Sequence, residues 1–196
     1  CRVGAMTLRH DLQLVTISEA QRAFTLAKAY QALTQYFAFW DYSSVAKSDL
    51  DAEFARLAEQ TAGMTCRAEF GLAITRFLSR MNNLHTAYTD PLFAQVPPLG
   101  LELDMRQGQW LCTWSAAGTP ARGDRIMTID GTSMPDWQHA LEPYFAGTKE
   151  RVGHQWMSFY LRLFLGDQYS ITSEARLANP HSPPAPRTGA PQPATP

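Results

Sequence analysis

The stretch "RIMTIDGTSMPDW", Arg125 to Trp137, decides the fold of the second half of the chain. Its first five residues are apolar or β-branched apart from the arginine, which favours a strand over Arg125–Ile129. Asp130-Gly131 is a dipeptide typical of tight turns. Pro135 suits the first turn of a helix that carries Trp137. The stretch therefore predicts a strand, a turn and a helix in close succession.

Similar short β-rich runs surround this stretch. "LGLELDM" and "QWLCTWS" predict strands at Leu99–Met105 and Trp110–Ser115, separated by "RQGQ" and followed by the turn-rich "SAAGTPARGD". Downstream, "ERVGHQWMSFYLRLFLG" has the apolar spacing of a helix, and "QYSIT", Gln168 to Thr172, resembles the start of a further strand. We therefore expect residues 91–173 to form a small β-sheet domain with helices.

Three helices are predicted upstream of the strands, within residues 18–90. "SEAQ" has the form of a capping box, and the apolar spacing continues to about Phe39 over a face wide enough to pack on more than one side. A second helix is expected from about Asp49 to Ala62. A third begins at Thr65, and its apolar stripe ends at Met81. The pattern predicts a three-helix bundle and hence an α+β chain.

The two ends of the chain differ from these regions. Residues 1–17 form an N-terminal segment in which "LQLVTI", Leu12 to Ile17, can make one strand. Residues 174–196 contain a proline-rich run with almost no large apolar side chain, which predicts an extended, disordered tail.

Composition and charge exclude several classes of function. The net charge is only −1 and the basic residues are scattered, so neither nucleic acid nor an anionic membrane is an expected partner. The most apolar run, Ala29–Trp40, is shorter than the ~20 residues of a membrane span, so no transmembrane segment is expected. The charged fraction of 18% is below the roughly 25% that is typical, which favours well-buried elements and an interface.

The three cysteines indicate neither a disulfide framework nor a zinc site, because their number is odd and no C-x-x-C spacing occurs. Cys66 and Cys112 are expected to be small core residues. Cys1 has two interpretations: the first residue of a mature lipoprotein, or the boundary of a fragment.

The most polar segment before the tail is "MNNLHTAYTD", Met81 to Asp90, and it contains His85. A histidine at a helix C-terminus can act as a general acid and base near neutral pH. Alternatively, an asparagine ends the helix in the left-handed conformation while His85 caps carbonyl groups. The residues alone leave both interpretations open.

No partner for a catalytic histidine can be identified from motifs. Neither G-x-S-x-G nor S-x-x-K occurs, and no serine lies in a Gly-rich turn between a strand and a helix. The histidines lie far apart without metal-ligand spacing, and no Gly-rich phosphate loop is present. We therefore expect no metal and no cofactor.

The β-rich segment suggests peptide binding. A strand edge beside a helix can bind an extended peptide by β-addition. The entry "PPLGL", Pro97 to Leu101, would leave backbone N–H groups free for a peptide carboxylate, and Leu99, Gly100 and Leu101 would line the groove. An ordinary antiparallel sheet is the alternative.

The order of these segments resembles the front half of the tricorn-core and C-terminal processing serine peptidases. "ARGDRIMTIDGTSM" is similar to the G-D-x-I-x-x-I-D-G run of that family's PDZ domain, and "DLDAEF…NNLHTAYTD" resembles its N-terminal helical bundle. The resemblance covers roughly residues 18–172. It implies a PDZ-like fold for residues 91–173, and a protein that is exported to the periplasm or the cell envelope.

The same resemblance implies that His85, followed by Thr86, is the histidine of a catalytic group in a serine endopeptidase. The family's L-x-D-x-H-T motif is altered, since Asn83 and Leu84 precede the histidine. The family's serine lies in a later domain that has no counterpart here, so we expect this chain alone to be inactive and truncated relative to the family. Its own role would be recognition of an extended peptide or an unfolded protein segment. The alternative is a stand-alone peptide-binding or scaffold module with no enzymatic role.

Overall fold

The structure, a computed structural model, describes residues 2–3, 6–146 and 157–175. Its helices are α1 (His10–Gln13), α2 (Glu19–Tyr36), α3 (Leu50–Thr61), α4 (Arg67–Ser79), α5 (Pro91–Gln95), α6 (Met134–Leu141) and α7 (157–161). Its strands are β1 (Arg2–Val3), β2 (Met6–Thr7), β3 (Leu101–Arg106), β4 (Gln109–Ser115), β5 (Arg125–Ile129), β6 (Thr132–Ser133) and β7 (Ile171–Glu174). The predicted mixed α+β class is confirmed.

Helix α2 begins with the predicted capping box. The Ser18 hydroxyl accepts a hydrogen bond from the Gln21 N–H at 3.2 Å, and the Gln21 side chain accepts one from the Ser18 N–H at 2.9 Å. The prediction that this helix packs on more than one side is wrong. Leu33 is its only buried residue, while Phe24 and Tyr36 are 66% and 79% exposed. Helix α2 therefore leaves a broad apolar surface uncovered by the described residues.

Helix α4 belongs to two hydrophobic cores at once. Its predicted stripe, including Phe70, Ile74 and Phe77, packs in one core with residues of α2 and α3. Its opposite face, through Ala68 and Leu72, packs in the core beneath the sheet. Because one helix supplies both cores, residues on either side of position 90 are packed against a common element.

The strand predicted within "LQLVTI" is not present. Leu12 and Gln13 lie in α1, and only Thr16 makes an isolated bridge, to Cys66. Leu8, before α1, and Leu12, within it, are both buried in the sheet core, whereas Leu14 is 68% exposed. Strand alternation would place Leu12 and Leu14 on the same face, but only Leu12 is buried.

The sheet is antiparallel and is built from local hairpins. Strands β3 and β4 are joined at Gln107-Gly108 and strands β5 and β6 at Asp130-Gly131, and all four turn residues have positive φ between 51° and 74°. This is the backbone of the tight turns that match the twist of paired strands. The strand predicted at Arg125–Ile129 and the turn after it are confirmed.

The neighbours of β5 determine where the sheet ends. Arg125 pairs with both Leu111 of β4 and Glu174 of β7, and Ile129 pairs with both Thr132 of β6 and Ile171 of β7. Because a strand has two edges, β7 occupies one edge of β5 while β4 and β6 share the other. Within the described residues, β3 pairs only with β4, so its far edge is open.

Two predictions fall wholly or partly outside the described residues. Residues 147–156 are not described, so the helix expected across 150–166 is seen from residue 157, as α7. Residues 162–165 form turns and a bend, so the predicted helical end at Gly166 is wrong. The tail predicted for residues 174–196 is described only at Glu174 and Ala175, the first of which belongs to β7.

Candidate functional site

A cavity of about 510 Å³ is lined in part by β3, the strand whose far edge is open in the described part of the sheet. We call it the β3 groove. Its walls come from four elements: the loop before β3, strands β3 and β4, and the region of α7, with lining residues Pro98–Asp104, Thr113, Trp114, Ser158, Phe159 and Arg162. The groove therefore contains all three residues, Leu99, Gly100 and Leu101, that the sequence suggests for peptide binding.

The loop at the end of the groove is held in place through its carbonyl groups. The Tyr169 hydroxyl donates to the Leu99 carbonyl, and the Ala116 N–H donates to the Gly100 carbonyl at 2.8 Å. Gly100 has φ of +70°, a conformation that other residues rarely adopt. Neither the Leu99 nor the Gly100 N–H has an acceptor among the described residues. These two donors are thus available at one end of the groove.

Side chains of β3 alternate between the core and the outer face of the sheet. Leu101 and Leu103 are buried in the sheet core, so Leu101 contributes backbone to the groove while its side chain packs inside. Glu102 lies between them and is exposed. Its partner across β4 is Trp114, which is 51% exposed. A carboxylate and an indole ring therefore stand side by side on the wall of the groove.

Arg162, the residue after α7, supplies positive charge to the lining of the groove. Its guanidinium donates to the Val96 carbonyl at 3.1 Å and to the Phe93 carbonyl at 2.9 Å, and lies 4.3 Å from the centre of the Phe159 ring. Its Nε is buried without a hydrogen-bond partner. No carboxylate of the described residues forms an ion pair with it, and burial lowers its pKa. Arg162 is thus a partly buried cation held by neutral groups.

His85 lies in a different cavity, of about 500 Å³, beside the exposed surface of α2. The left-handed residue expected near the end of α4 is Asn82, with φ of 51°. The imidazole does not cap carbonyl groups: within the described part of the chain it has no hydrogen-bond partner, and only the His85 N–H is bonded, to Asn83 Oδ1 at 2.8 Å. The ring is exposed and available to another molecule or domain.

A smaller cavity of about 260 Å³ adjoins both of these sites. It shares Thr86, Ala87 and Tyr88 with the cavity of His85, and Phe159 and Arg162 with the β3 groove. His85 itself lines neither this cavity nor the groove. The structure therefore brings Leu99, Gly100 and Leu101 together but keeps them separate from His85.

Asp90 fixes the segment between these cavities. Its carboxylate accepts two hydrogen bonds from Arg67, at 2.8 and 3.0 Å, one from the Tyr88 hydroxyl at 3.1 Å and one from the Leu92 N–H at 2.9 Å. Burial first, and Asp90 second, raise the pKa of Tyr88 to about 12. The network joins α4 to α5, and α5 leads directly into the loop of the β3 groove.

The described residues do not bring together a nucleophile and a base, or a set of metal ligands, as a catalytic site would need. No serine or cysteine is hydrogen bonded to His85 there, and no cluster of three metal-ligating side chains occurs in that part of the chain. Cys66 and Cys112 are buried free thiols, as expected, and burial raises the pKa of Cys112. The groups that the β3 groove does supply are backbone donors, an open strand edge and the opposite charges of Glu102 and Arg162.

Three residues of the groove have no recognisable signal as a site in the sequence. Arg162 and Phe159 belong to an apolar helical pattern in which neither stands out as a site residue. Trp114 is in phase with the buried Trp110 and Cys112 along β4, so simple alternation predicts that it is buried. The register shift between Glu102 and Leu103 pairs it with the exposed Glu102 instead. Their roles depend on α7 lying beside β3, a contact between residues far apart in the chain.

No protein-family model matches the chain, and no curated protein matches it. In the described residues, no helix is both long and apolar enough to span a membrane.

Proposed function

We propose that this protein binds an extended peptide, or an unfolded protein segment, as an added strand on the open edge of β3. The observation that carries the proposal is the β3 groove, a cavity of about 510 Å³ lined both by β3, whose far edge is unpaired among the described residues, and by residues of α7. In this proposal residues 91–173 are a PDZ-like domain and residues 18–90 a helical bundle that supports it. An exported protein of the periplasm or cell envelope fits this role.

The binding energy comes mainly from the backbone. A peptide aligned with β3 exchanges main-chain hydrogen bonds with the open edge, and alternate side chains enter the groove or cover the outer face of the sheet. The edge is already ordered by its pairing with β4, so the peptide bears most of the ordering cost. Such a mode accepts many sequences.

The orientation of the peptide follows from the donors at one end of the groove. The free N–H groups of Leu99 and Gly100 suit a carboxylate, and the charge of Arg162 in the lining of the same cavity adds a favourable potential. A peptide with its C-terminus at the loop would run antiparallel to β3. Peptides with a free C-terminal carboxylate should therefore bind more tightly than their amides.

Substitution of two glycines provides a matched test. Gly100 and Gly108 have nearly the same positive φ, +70° and +74°, so Gly100→Trp and Gly108→Trp impose similar backbone strain. Only Gly100 lines the groove, whereas Gly108 lies at the hairpin turn with open space around it. Binding of a free-carboxylate peptide library should be lost in Gly100→Trp and kept in Gly108→Trp. Equal binding by both variants would remove the groove from the proposal.

A second role, catalytic, is favoured by one observation at His85. Its imidazole is exposed in a cavity and has no hydrogen-bond partner in the described part of the chain, as a histidine that serves a nucleophile on another domain would be. In that role the chain is the non-catalytic N-terminal part of a serine-type peptidase, and His85 contributes to proteolysis only with a serine from elsewhere. A fluorophosphonate probe should not label the purified chain; labelling would contradict this.

The alternative is a stand-alone binding or scaffold module in which His85 has no catalytic role. The coding sequence that follows Pro196 distinguishes the two. A Gly-rich strand, turn and helix with a serine there supports the peptidase, whereas its absence from the gene in several genomes supports the module.

A further inference from the structure

We propose that the β3 groove selects peptides with a lysine or arginine at the position that pairs with Glu102. This inference rests on the proposed function and specifies the ligand class of the same site. It assigns Glu102 and Trp114 as specificity residues, which contact the peptide's side chain rather than its backbone.

Strand geometry determines which peptide side chain meets Glu102. Residues directly opposite each other on neighbouring strands project from the same face of the sheet, with Cβ atoms about 4.5–5.5 Å apart. Glu102 projects from the outer face, since Leu101 and Leu103 on either side of it are buried in the core. A peptide residue paired with Glu102 therefore places its side chain on the outer face, against the carboxylate. The peptide residues before and after it point the other way.

The charges on the groove walls favour a cation at this position. Glu102 forms no ion pair among the described residues. The next carboxylate along the outer face, Asp104, is already paired with Arg106, whose Nε lies 2.7 Å from Asp104 Oδ2. Arg162 is the cation on the α7 wall, so a basic peptide side chain is repelled there and attracted at Glu102. The two walls thus impose opposite preferences on alternate peptide residues.

Trp114 completes the subsite. It is the direct partner of Glu102 on β4, and half of its surface is exposed on the groove wall. The alkyl stem of a lysine or arginine can pack along the indole while its charged end lies over the ring or reaches the carboxylate. An exposed tryptophan beside an unpaired carboxylate has no structural task that the described residues reveal.

The experiment uses the full chain and a synthetic library of random decapeptides with free C-termini. Selected peptides should be enriched in lysine or arginine at one fixed distance from the C-terminus. Exchange of that residue for alanine should weaken binding about tenfold in fluorescence anisotropy, and exchange for glutamate should weaken it further. Glu102→Lys should reverse the order, so that the glutamate peptide binds best. Trp114→Ala should reduce the preference for the basic residue without reversing it.

Glu59→Lys is the control for Glu102→Lys, because Glu59 is an exposed residue of α3 outside the groove and the change in net charge is the same. It should keep the wild-type preference. If Glu102→Lys also keeps that preference while peptides still bind, the inference about Glu102 is overturned and peptide recognition stands. If no library member binds the wild-type chain, both the inference and the proposed function fail. Far-ultraviolet circular dichroism of each variant verifies that it is folded.

Discussion

Replacement of Asp90 by asparagine should destabilise the protein far more than an ordinary surface substitution does. The Asp90 side chain is 0% exposed, and its two oxygens accept four hydrogen bonds, two of them from the Arg67 guanidinium. Asparagine keeps the shape, but its amide nitrogen meets two donors wherever it is placed. The change also removes the charge that faces Arg67.

The expected loss follows from these contacts. Hydrogen bonds to a charged group contribute about 1.5–3 kcal/mol each, and the loss of an N-cap costs about 1 kcal/mol. Arg67 is 36% exposed, so water replaces part of what it loses. We expect Asp90→Asn to lower the free energy of unfolding by about 3 kcal/mol and Asp90→Ala by about 3–5 kcal/mol.

Urea titration followed by circular dichroism at neutral pH measures this loss. Glu59→Gln, an exposed carboxylate of α3, should change the free energy of unfolding by no more than about 0.5 kcal/mol. In a double-mutant cycle, Arg67→Met and Asp90→Ala should be non-additive by about 2 kcal/mol. A loss below about 1 kcal/mol in Asp90→Asn, or full additivity in the cycle, would show that this network does not hold α4 and α5 together.

Three further outcomes are expected. Leu72→Ala and Ile74→Ala, on the two faces of α4, should each lower the free energy of unfolding by about 2–5 kcal/mol. Both variants should keep a single unfolding transition, because the two cores share this helix. Different midpoints by circular dichroism and by tryptophan fluorescence would contradict this. The fold raises the pKa of Tyr88 to about 12, so the free energy of unfolding should fall as pH rises above about 10. Between about pH 9 and about pH 11, Tyr88→Phe should lose about 1 kcal/mol less of this free energy than the wild type. Equal losses in alkaline urea titrations would refute the assignment. Gly131→Ala, at φ of +74°, should cost about 1–2 kcal/mol in the same assay, and an unchanged midpoint would argue against the left-handed turn.

Elements governed by local chemistry were predictable from the sequence. The capping box at Ser18 and the turn at Asp130-Gly131 depend on residues within three positions of each other. The apolar stripe of α4 was visible because its buried residues recur at helical spacing. In each case a short segment holds the whole physical reason for its structure.

Packing between distant elements was not predictable in the same way. The apolar positions of α2 suggested burial on two sides, yet Phe24 and Tyr36 remain exposed in the described structure. Apolar spacing indicates which face of a helix can pack against another element, but it does not indicate whether such an element is present. The strand predicted in the N-terminal segment was wrong for the same reason, since the burial of its leucines depends on contacts with the sheet core.

The candidate site likewise contains residues that local sequence predicts and residues that only tertiary packing brings together. Leu99, Gly100 and Leu101 were predictable because a Pro-Pro-Leu-Gly-Leu run before a strand has a recognisable backbone consequence. Arg162 and Trp114 were not, because their place in the groove results from tertiary contacts among α7, β3 and β4. The backbone part of the proposed site was therefore predictable from the sequence, whereas the side chains that line the rest of the groove were not.

Amide chemical-shift mapping tests the central claim most directly. The ¹⁵N-labelled full chain is titrated with the tightest free-carboxylate peptide from the library. Binding at the open edge of β3 predicts that the largest shifts fall on Leu99, Gly100 and the amides of Leu101–Arg106, with smaller shifts at α7. The largest shifts at His85 or along α2, with β3 unchanged, would contradict it.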